Sequence, residues 1–393
     1  MKPPPSLPLS RRAFLTQGGA AGALALGLLQ RSPSLLAATA PDQTGTRAWP
    51  RATVDKFYIS TIWSDGRHNA FPGIARVGDY YYVTFRHAES HAMGPAGSAK
   101  IFVIRAPAGD LKSWSKVAEF THEHDARDPL VFDNRGKVQV VYHSREDFYS
   151  QSADGLTWTT PRELDTEIVQ PPPGSKLVFT STRRWLFRIR RGPDGAFYSL
   201  GRCGIPAKGS PGKFGLILYR SEDGVKFKAL HAYGEGPIQA LAVGRGTGHE
   251  ADVGWAGDGT FLAAIRNSRN DGIVAVGPLP LGPFRALTTG TMTFGGPALH
   301  TTRKGGVLVA GRHASPQSHY ACRVSTVMPD GVDNHVILPS GGDCAYQSFE
   351  DGPGESVLLA YYSSHEYPQP KGTGNNPTNI YLAHLTVRHQ APK

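Results

Sequence analysis

Short apolar runs recur along the chain from residue 51 onward, and five of the six end on a basic residue or histidine. The runs are rich in β-branched, aromatic and aliphatic residues, which favours strands. They occupy residues 80–86, 138–143, 197–202, 261–266, 307–312 and 357–363. Their last residues lie 46 to 64 positions apart. This spacing predicts six copies of one supersecondary unit.

A period of about 55 residues suits one four-stranded propeller blade with its loops, and ring closure removes exposed sheet edges. We therefore predict an all-β fold, a six-bladed β-propeller. Equivalent strands of the blades run in one direction, so their final residues should gather at one mouth of the central channel. These residues include Arg86, His143, Arg266 and Arg312. Clustered positive charges need an anion or carboxylates to neutralise them, which predicts a site at that mouth.

The composition supports a folded β-protein. The 393 residues are 39% hydrophobic and 19% charged, with 46 Gly and 31 Pro, which excludes disorder and collagen and favours strands joined by turns. Three cysteines without CxxC spacing predict neither a zinc nor a haem site, and we expect no metal and no cofactor. Basic and aromatic residues are not interleaved on one strand, so no nucleic-acid partner is expected. Pairing of Cys322 with Cys344 stays open.

Residues 1–40 have the pattern of an export leader. Arg11-Arg12 precede a 12-residue run of small and apolar residues, 18–29, and an alanine-rich end follows. This resembles a twin-arginine signal peptide, which implies a periplasmic or secreted bacterial protein without a stable membrane anchor after cleavage. The alternative is a short N-terminal anchor. Cleavage lowers the formal net charge from +10 to +6, since the leader holds four basic residues and no acidic one. We expect residues 41–393 to form one propeller domain.

Two segments predict hairpin turns that carry an aromatic staple. Residues 152–158 and 221–227 each place Asp-Gly three residues before Trp158 or Phe227, and residues 108–114 are a looser version. These turns resemble the Asp-box of sialidase-type propellers. We interpret them as structural, with no part in binding.

Two further segments resemble the same family. Glu250 lies sixteen residues before Arg266, as in the fourth blade of sialidases, and residues 343–349 resemble the sixth-blade segment with the nucleophilic tyrosine, here Tyr346. Residues 67–72 and 127–130 are similar to a divergent bacterial branch of sialidase-like proteins. The resemblance implies that Tyr346 attacks the anomeric carbon. Because a phenol is a weak nucleophile at neutral pH, a carboxylate must take its proton, and Glu250 is the candidate.

The sequence also departs from the sialidase pattern. Ala70-Phe71-Pro72 stands where sialidases have Arg-Ile-Pro, and the loop 86–91 lacks the expected acid/base aspartate. Sialic-acid specificity is therefore not expected to follow from the resemblance. The candidates for the acid/base are Asp343, Glu89, His87 and His91. The candidates for orienting the sugar or its carboxylate are Arg67, Arg86, Arg266, Arg312 and His365.

Three functions remain open from the sequence. The leading one is an exported glycoside hydrolase acting on an acidic or terminally decorated glycan, which would be its partner. The second is a uronate lyase in which His68, His87 or Tyr346 removes a proton while Arg266 neutralises the carboxylate. The third is a propeller that binds glycans without catalysis.

Overall fold

The computed structural model describes residues 48–92, 94, 97–168, 184–205, 213–230, 248–267, 272–278, 285–288, 294–314, 320–367 and 376–392. Within these ranges the regular structure is entirely β-strand. The same ranges hold no helix with the length and apolar character that crossing a bilayer requires. The expected leader, residues 1–40, lies outside the described residues.

The strands form six sheets, numbered here as blades 1 to 6 in chain order. The first strand, β1 (Arg51–Trp63), belongs to blade 6. Blade 1 contains β2 (His68–Val77), β3 (Tyr80–Ala88), β4 (Lys100–Pro107) and β5 (Ser115–Thr121). Blade 2 contains β6 (Arg127–Asn134), β7 (Lys137–Ser144), β8 (Glu146–Ser152) and β9 (Arg162–Glu163). Blade 3 contains β10 (Asp165–Thr166), β11 (Arg184–Leu186), β12 (Arg190–Arg191), β13 (Phe197–Ile205), β14 (Lys213–Ser221) and β15 (Lys226–Ala229).

The second half of the chain repeats the same plan. Blade 4 contains β16 (Gly248–Trp255), β17 (Phe261–Asn267), β18 (Ile273–Gly277) and β19 (Arg285–Thr288). Blade 5 contains β20 (Gly295–Thr301), β21 (Val307–Ala314), β22 (Tyr320–Met328) and β23 (Gly331–Ile337). Blade 6 contains β24 (Cys344–Asp351), β25 (Val357–Ser363) and β26 (Asn379–Gln390). The prediction of an all-β, six-bladed propeller is confirmed.

The ring closes by sharing blade 6 between the two ends of the described chain. Strand β1 pairs antiparallel with β26, with Arg51 opposite Gln390 and Ser60 opposite Leu382. One edge of β1 is therefore paired with the last strand, which ties the start of the described chain to its end.

Six hydrophobic clusters hold the blades together, and each lies between two neighbouring blades. The cluster between blades 6 and 1 includes Phe85 and Tyr362, both fully buried. Because an open sequence of six blades would have only five such interfaces, the sixth cluster shows that apolar packing also closes the ring.

The six apolar runs found in the sequence are the second strands of the six blades, β3, β7, β13, β17, β21 and β25. Each second strand pairs with the innermost strand of its own blade, or in blade 3 with the two short inner strands. In blade 2, for example, Arg127 of the innermost strand lies opposite His143 of the second. Buried on both faces by neighbouring blades, these strands read as continuous apolar stretches, which is why their period was visible in the sequence.

The innermost strands share one irregularity. In blade 1 the register between the innermost and second strands shifts by one residue between Ala70 and Gly73. Blades 2, 4, 5 and 6 have the same shift at the equivalent place. In blade 3 the chain between β11 and β12 holds the corresponding extra residue. Such β-bulges redirect a side chain. Four bulge residues have positive φ: Phe71 (59°), Asp128 (47°), Gly296 (58°) and Tyr346 (52°).

The Asp-Gly hairpin turns form as predicted. The Asp154 carboxylate accepts the backbone NH groups of Leu156 and Thr157 at 2.8 and 2.7 Å, and Trp158 packs edge-on against Phe120 at 5.6 Å. Gly155 has φ +70° and lies directly on the Tyr82 hydroxyl, where a Cβ would be 2.0 Å away. These contacts are structural, since they fix the turn against the neighbouring strands.

Candidate functional site

The six bulges place six residues around a cleft on the propeller axis: Phe71, Asp128, Arg188, Glu250, Gly296 and Tyr346. The cleft has about 310 Å³ of empty space, including its opening to solvent. One position per blade converges here because the same bulge recurs at the same height in every inner strand. We call this the axial site.

The Tyr346 hydroxyl donates a hydrogen bond to Glu250 Oε1 at 2.8 Å. The two residues are 96 positions apart in sequence and belong to blades 6 and 4. Glu250 is also held by Arg266, with Nη1 2.5 Å from Oε1, and by the Gly296 backbone NH, 2.6 Å from Oε2. The sequence-predicted Tyr346, Glu250 and Arg266 therefore meet in one cluster.

The charges of this cluster follow from its surroundings. Burial by itself raises the pKa of Glu250, but Arg266, the Gly296 NH and the Tyr346 hydroxyl outweigh it and hold that pKa below its ordinary value. Burial, Asp128 and Glu250 raise the pKa of Tyr346 well above its usual range. The resting site therefore pairs a neutral phenol with an ionised carboxylate that accepts its hydrogen bond.

Asp128 is the carboxyl that sequence reasoning missed. It is 7% exposed, and its Oδ1 has no hydrogen-bond partner among the described residues. Burial raises its pKa to about 6, although Arg127 acts in the opposite direction. A carboxyl that can be protonated near neutral pH, facing Tyr346 and Glu250, is suited to general acid/base catalysis.

A sequence signal for Asp128 exists. Phe71-Pro72, Asp128-Pro129 and Gly296-Pro297 occupy the same bulge in three blades, and proline fits there because it has no NH to leave unpaired. The shared X-Pro pair marks the residue directed at the axis.

Arg188 lines the cleft and reaches from blade 3 to the neighbouring inner strands. Its Nη1 donates to the Pro72 carbonyl at 3.2 Å and its Nη2 to the Gln347 carbonyl at 2.7 Å, linking blade 3 to blades 1 and 6. Burial lowers its pKa to about 10, so it keeps its charge at neutral pH. Its positive charge near Asp128 and Tyr346 was not anticipated from the sequence, where Arg188 follows the short strand β11.

A second polar cluster surrounds Asp343. Its Oδ2 lies 2.8 Å from His68 Nε2 and 2.7 Å from His91 Nδ1, and its Oδ1 accepts the Tyr362 hydroxyl at 2.9 Å. Burial raises the pKa of Asp343, but the two imidazoles outweigh it and hold that pKa far below its ordinary value. We call His68, His91 and Asp343 the mouth cluster. Among the described residues, the polar contacts of the Asp343 side chain do not include Tyr346, so the two side chains belong to separate clusters.

The mouth cluster adjoins the axial site through one side chain. The Phe71 ring contacts His91 at 5.4 Å and Tyr346 at 4.6 Å between ring centroids. Ala70, the residue before it, stands at the first arginine of the sialidase pattern, and the Phe71 ring separates the two clusters.

His68 and His87, the two histidines named for the lyase hypothesis, lie on opposite faces of the β2–β3 pair. His87 lies opposite Asn69 in the β2–β3 pair, and its Nδ1 donates a hydrogen bond at 3.0 Å to Asn69 Oδ1. Because side chains alternate along a strand, His68 faces the other side of the sheet. His87 stacks on Phe102 at 4.2 Å, and burial lowers its pKa. His91, from the next loop, takes the position beside His68 instead.

The expectation that Arg86 binds substrate is wrong. Its side chain is fully buried and donates to Asp125 at 2.7 Å and to the carbonyls of Ser90 and Ala92 at 2.7 and 3.1 Å. These bonds occupy the guanidinium, so Arg86 positions the loop that carries His91.

The remaining candidates lie around the site or away from it. Arg67 and Glu89 form an exposed ion pair with each other, with 48% and 75% of their side chains accessible. The pair gives Glu89 no buried position from which to act as an acid. His365 bonds to Ser363 Oγ at 3.0 Å and contacts Tyr381. Arg312 is close enough to lower the pKa of Glu250, and its guanidinium packs over Tyr320 at 4.5 Å.

Cys322 and Cys344 lie together in the core between blades 5 and 6 as free thiols. Contact with Cys322, followed by burial, raises the pKa of Cys344 well above its ordinary value. The question of their pairing, left open by the sequence, is answered in this structure by two adjacent reduced side chains.

Comparison with solved structures supports the architecture. No protein-family model matches the chain, and no curated protein sequence matches it. A protein of unknown function from Dyadobacter fermentans superposes with a TM-score of 0.67 at 15% identity, covering 86% of this chain and 99% of that one.

Sialidase structures from Trypanosoma rangeli share the same fold. A mutant displaying trans-sialidase activity gives a TM-score of 0.56 at 10% identity, covering 84% of this chain and 59% of that one. The complex with the inhibitor DANA gives 0.53 at 12% identity, covering 81% and 55%. The chain thus spans just over half the length of these sialidases, and at such identities the likeness establishes the propeller fold.

Proposed function

We propose that the protein is a glycoside hydrolase in which Tyr346 is the nucleophile. The observation that carries this proposal is the 2.8 Å hydrogen bond from the buried Tyr346 hydroxyl to the anionic Glu250 carboxylate. Glu250 takes the phenolic proton as the oxygen attacks the anomeric carbon, so a free phenolate does not have to form first. The likeness to sialidase structures supports this assignment at the level of the scaffold.

In the first step, the bond from the anomeric carbon to the leaving oxygen breaks while a bond to the Tyr346 oxygen forms. Asp128, protonated below about pH 6, donates its proton to the leaving oxygen. In the second step, Asp128 as a carboxylate takes a proton from water, which attacks the same carbon and releases Tyr346. Glu250 returns the proton to the phenolate, and two displacements retain the anomeric configuration.

We propose an acidic or terminally decorated glycan as the substrate. Arg266 and Arg312 both lie close enough to lower the pKa of Glu250, so they supply positive charge at the axial site. One carboxylate on a sugar would balance this charge. Because Ala70 replaces an arginine of the sialidase pattern, sialic acid is one candidate among several acidic sugars.

We further propose that the protein acts in the periplasm or outside the cell, after export by a twin-arginine leader. The support is the sequence of residues 1–40, with its arginine pair, short apolar run and alanine-rich end. Edman sequencing or mass measurement of the exported protein, showing a new N-terminus near residue 40, tests this.

The test of function is a product screen on sialylated, uronate-containing and rhamnosylated glycans, read by mass and ultraviolet absorbance together. Hydrolysis adds one water to the products, while elimination by a lyase leaves an unsaturated uronate that absorbs in the near ultraviolet. Tyr346→Phe is expected to lower turnover at least about 100-fold. Tyr58→Phe, at an exposed position on β1, is the matched control and should keep the parental rate.

Two outcomes would overturn the proposal. An unsaturated product would identify a lyase, and tight binding of a glycan without turnover would identify a binding propeller. Parental activity in Tyr346→Phe, with hydrolysis established, would remove the nucleophile from this scheme while leaving the reaction class in place.

A further inference from the structure

The mouth cluster brings three potential metal ligands together from distant parts of the chain. His68 begins β2, His91 lies in the loop after β3, and Asp343 immediately precedes β24. One ligand atom from each residue lies within 4.8 Å of the other two. We propose that His68, His91 and Asp343 bind one divalent transition-metal ion of the zinc class.

The donor set selects this class of ion. Two imidazole nitrogens and one carboxylate oxygen suit zinc and its neighbours, whereas calcium and magnesium prefer six or more oxygen ligands. Zinc takes such ligands at about 2.0–2.2 Å in tetrahedral geometry. The three donors need only close around the ion, and His91, with 39% of its side chain accessible, can move to do so.

The carboxylate is already oriented for a metal. The Tyr362 hydroxyl donates to Asp343 Oδ1, and the Asp343 backbone NH is held by Ser364 Oγ at 2.9 Å. The other oxygen, Oδ2, points at both imidazoles. A metal ion between Oδ2 and the two ring nitrogens would take the place of the hydrogen-bonding protons that lie there. Hydrogen bonds of this kind around a ligand commonly set metal affinity.

Three protein ligands leave a fourth position for water or a substrate atom, as in metal sites that take part in binding or catalysis. The cluster is one aromatic ring, Phe71, from Tyr346. An ion here would add positive charge beside the axial site. The inference stands on the mouth cluster alone and does not depend on the proposed hydrolase activity.

The experiment is a titration of the full-length protein, freed of metal with a chelator and dialysed, with zinc sulfate by calorimetry and with cobalt chloride by visible absorption. We expect one equivalent of either metal to bind, and the melting temperature to rise with zinc concentration. Loss of an outer hydrogen-bond partner typically weakens metal binding by about 10–100-fold. His91→Ala and Asp343→Asn each remove a ligand and should weaken binding by more than this. Tyr362→Phe should weaken it by about tenfold.

His335→Ala, which removes an exposed histidine on β23, is the matched control and should bind like the parent. Absence of saturable 1:1 uptake by the parent protein overturns the proposal, as does unchanged affinity in a folded His91→Ala variant. Circular dichroism before the titration establishes that each variant is folded. Because no glycan enters this measurement, its failure and a failure of the hydrolase proposal are told apart.

Discussion

Replacing Asp128 by asparagine is expected to stabilise the folded protein at neutral pH while removing its activity. The buried carboxyl has a pKa of about 6 in the folded protein, against an ordinary value of 3.8. Between these values the folded state binds a proton that the unfolded chain has lost, and above both it carries a buried charge. The wild-type protein therefore loses stability as the pH rises from about 4 through 6.

The size of this effect follows from the two pKa values. At about 1.4 kcal/mol for each tenfold difference, ionisation of Asp128 costs roughly 3 kcal/mol at pH 8 and little near pH 4. Asparagine has the same shape, carries no charge and tolerates the positive φ of this residue, 47°. The stability difference between Asp128→Asn and wild type should therefore grow by about 2 kcal/mol between pH 4 and pH 8.

Urea unfolding followed by tryptophan fluorescence at pH 4, 6 and 8 measures this difference. Asp79→Asn changes an exposed carboxyl in the turn between β2 and β3 and is the control. Its difference in stability from wild type should not grow with pH in the way expected for Asp128→Asn. Equal differences for Asp128→Asn at all three pH values would refute the reasoning. In the activity assay, Asp128→Asn should lose about 10²–10⁴-fold in rate, the usual contribution of a general acid.

Three further outcomes are expected. Arg86→Met should lower the free energy of unfolding by about 3 kcal/mol, because Asp125 and two carbonyls lose a buried cation. A change below about 1 kcal/mol in chemical unfolding would contradict the structural role of Arg86. Gly296→Ala should lower kcat/KM more than tenfold, since the added Cβ would lie 2.5 Å from Tyr346 Cα. Gly259→Ala is the control, because it has similar backbone strain in open space and should leave kcat/KM unchanged. In the reduced native protein, Cys322 and Cys344 should resist iodoacetamide until unfolding, as mass spectrometry would show, because both are fully buried; rapid native labelling would contradict their placement.

Much of the architecture was predictable because it is written in local patterns. The second strand of each blade is buried on both faces and therefore apolar throughout, so its period could be counted along the chain. The Asp-Gly turns were equally readable, since their hydrogen bonds run within a few residues of Asp154 and Asp223.

Tyr346, Glu250 and Arg266 were also predictable. The sixteen-residue spacing from Glu250 to Arg266 and the likeness of residues 343–349 to the sialidase pattern pointed to them. The other site residues were not. Asp128 and Arg188 gain their roles only from a bulge whose place depends on register with a neighbouring strand. Arg86 was misassigned for a related reason, since its strand end alone does not show that Asp125 and the loop carbonyls surround it.

The sequence by itself determined the number of blades, the second strand of each blade, the Asp-Gly turns, and the candidate phenol, carboxylate and arginine. Only the tertiary structure decided which side chains meet, as when His91 rather than His87 joins His68, and when Asp343 reaches His68 across 275 positions of the chain. The physical reason is that strand period is a local property of burial. Contacts across the axis depend instead on ring closure, strand register and the face of the sheet on which each side chain lies.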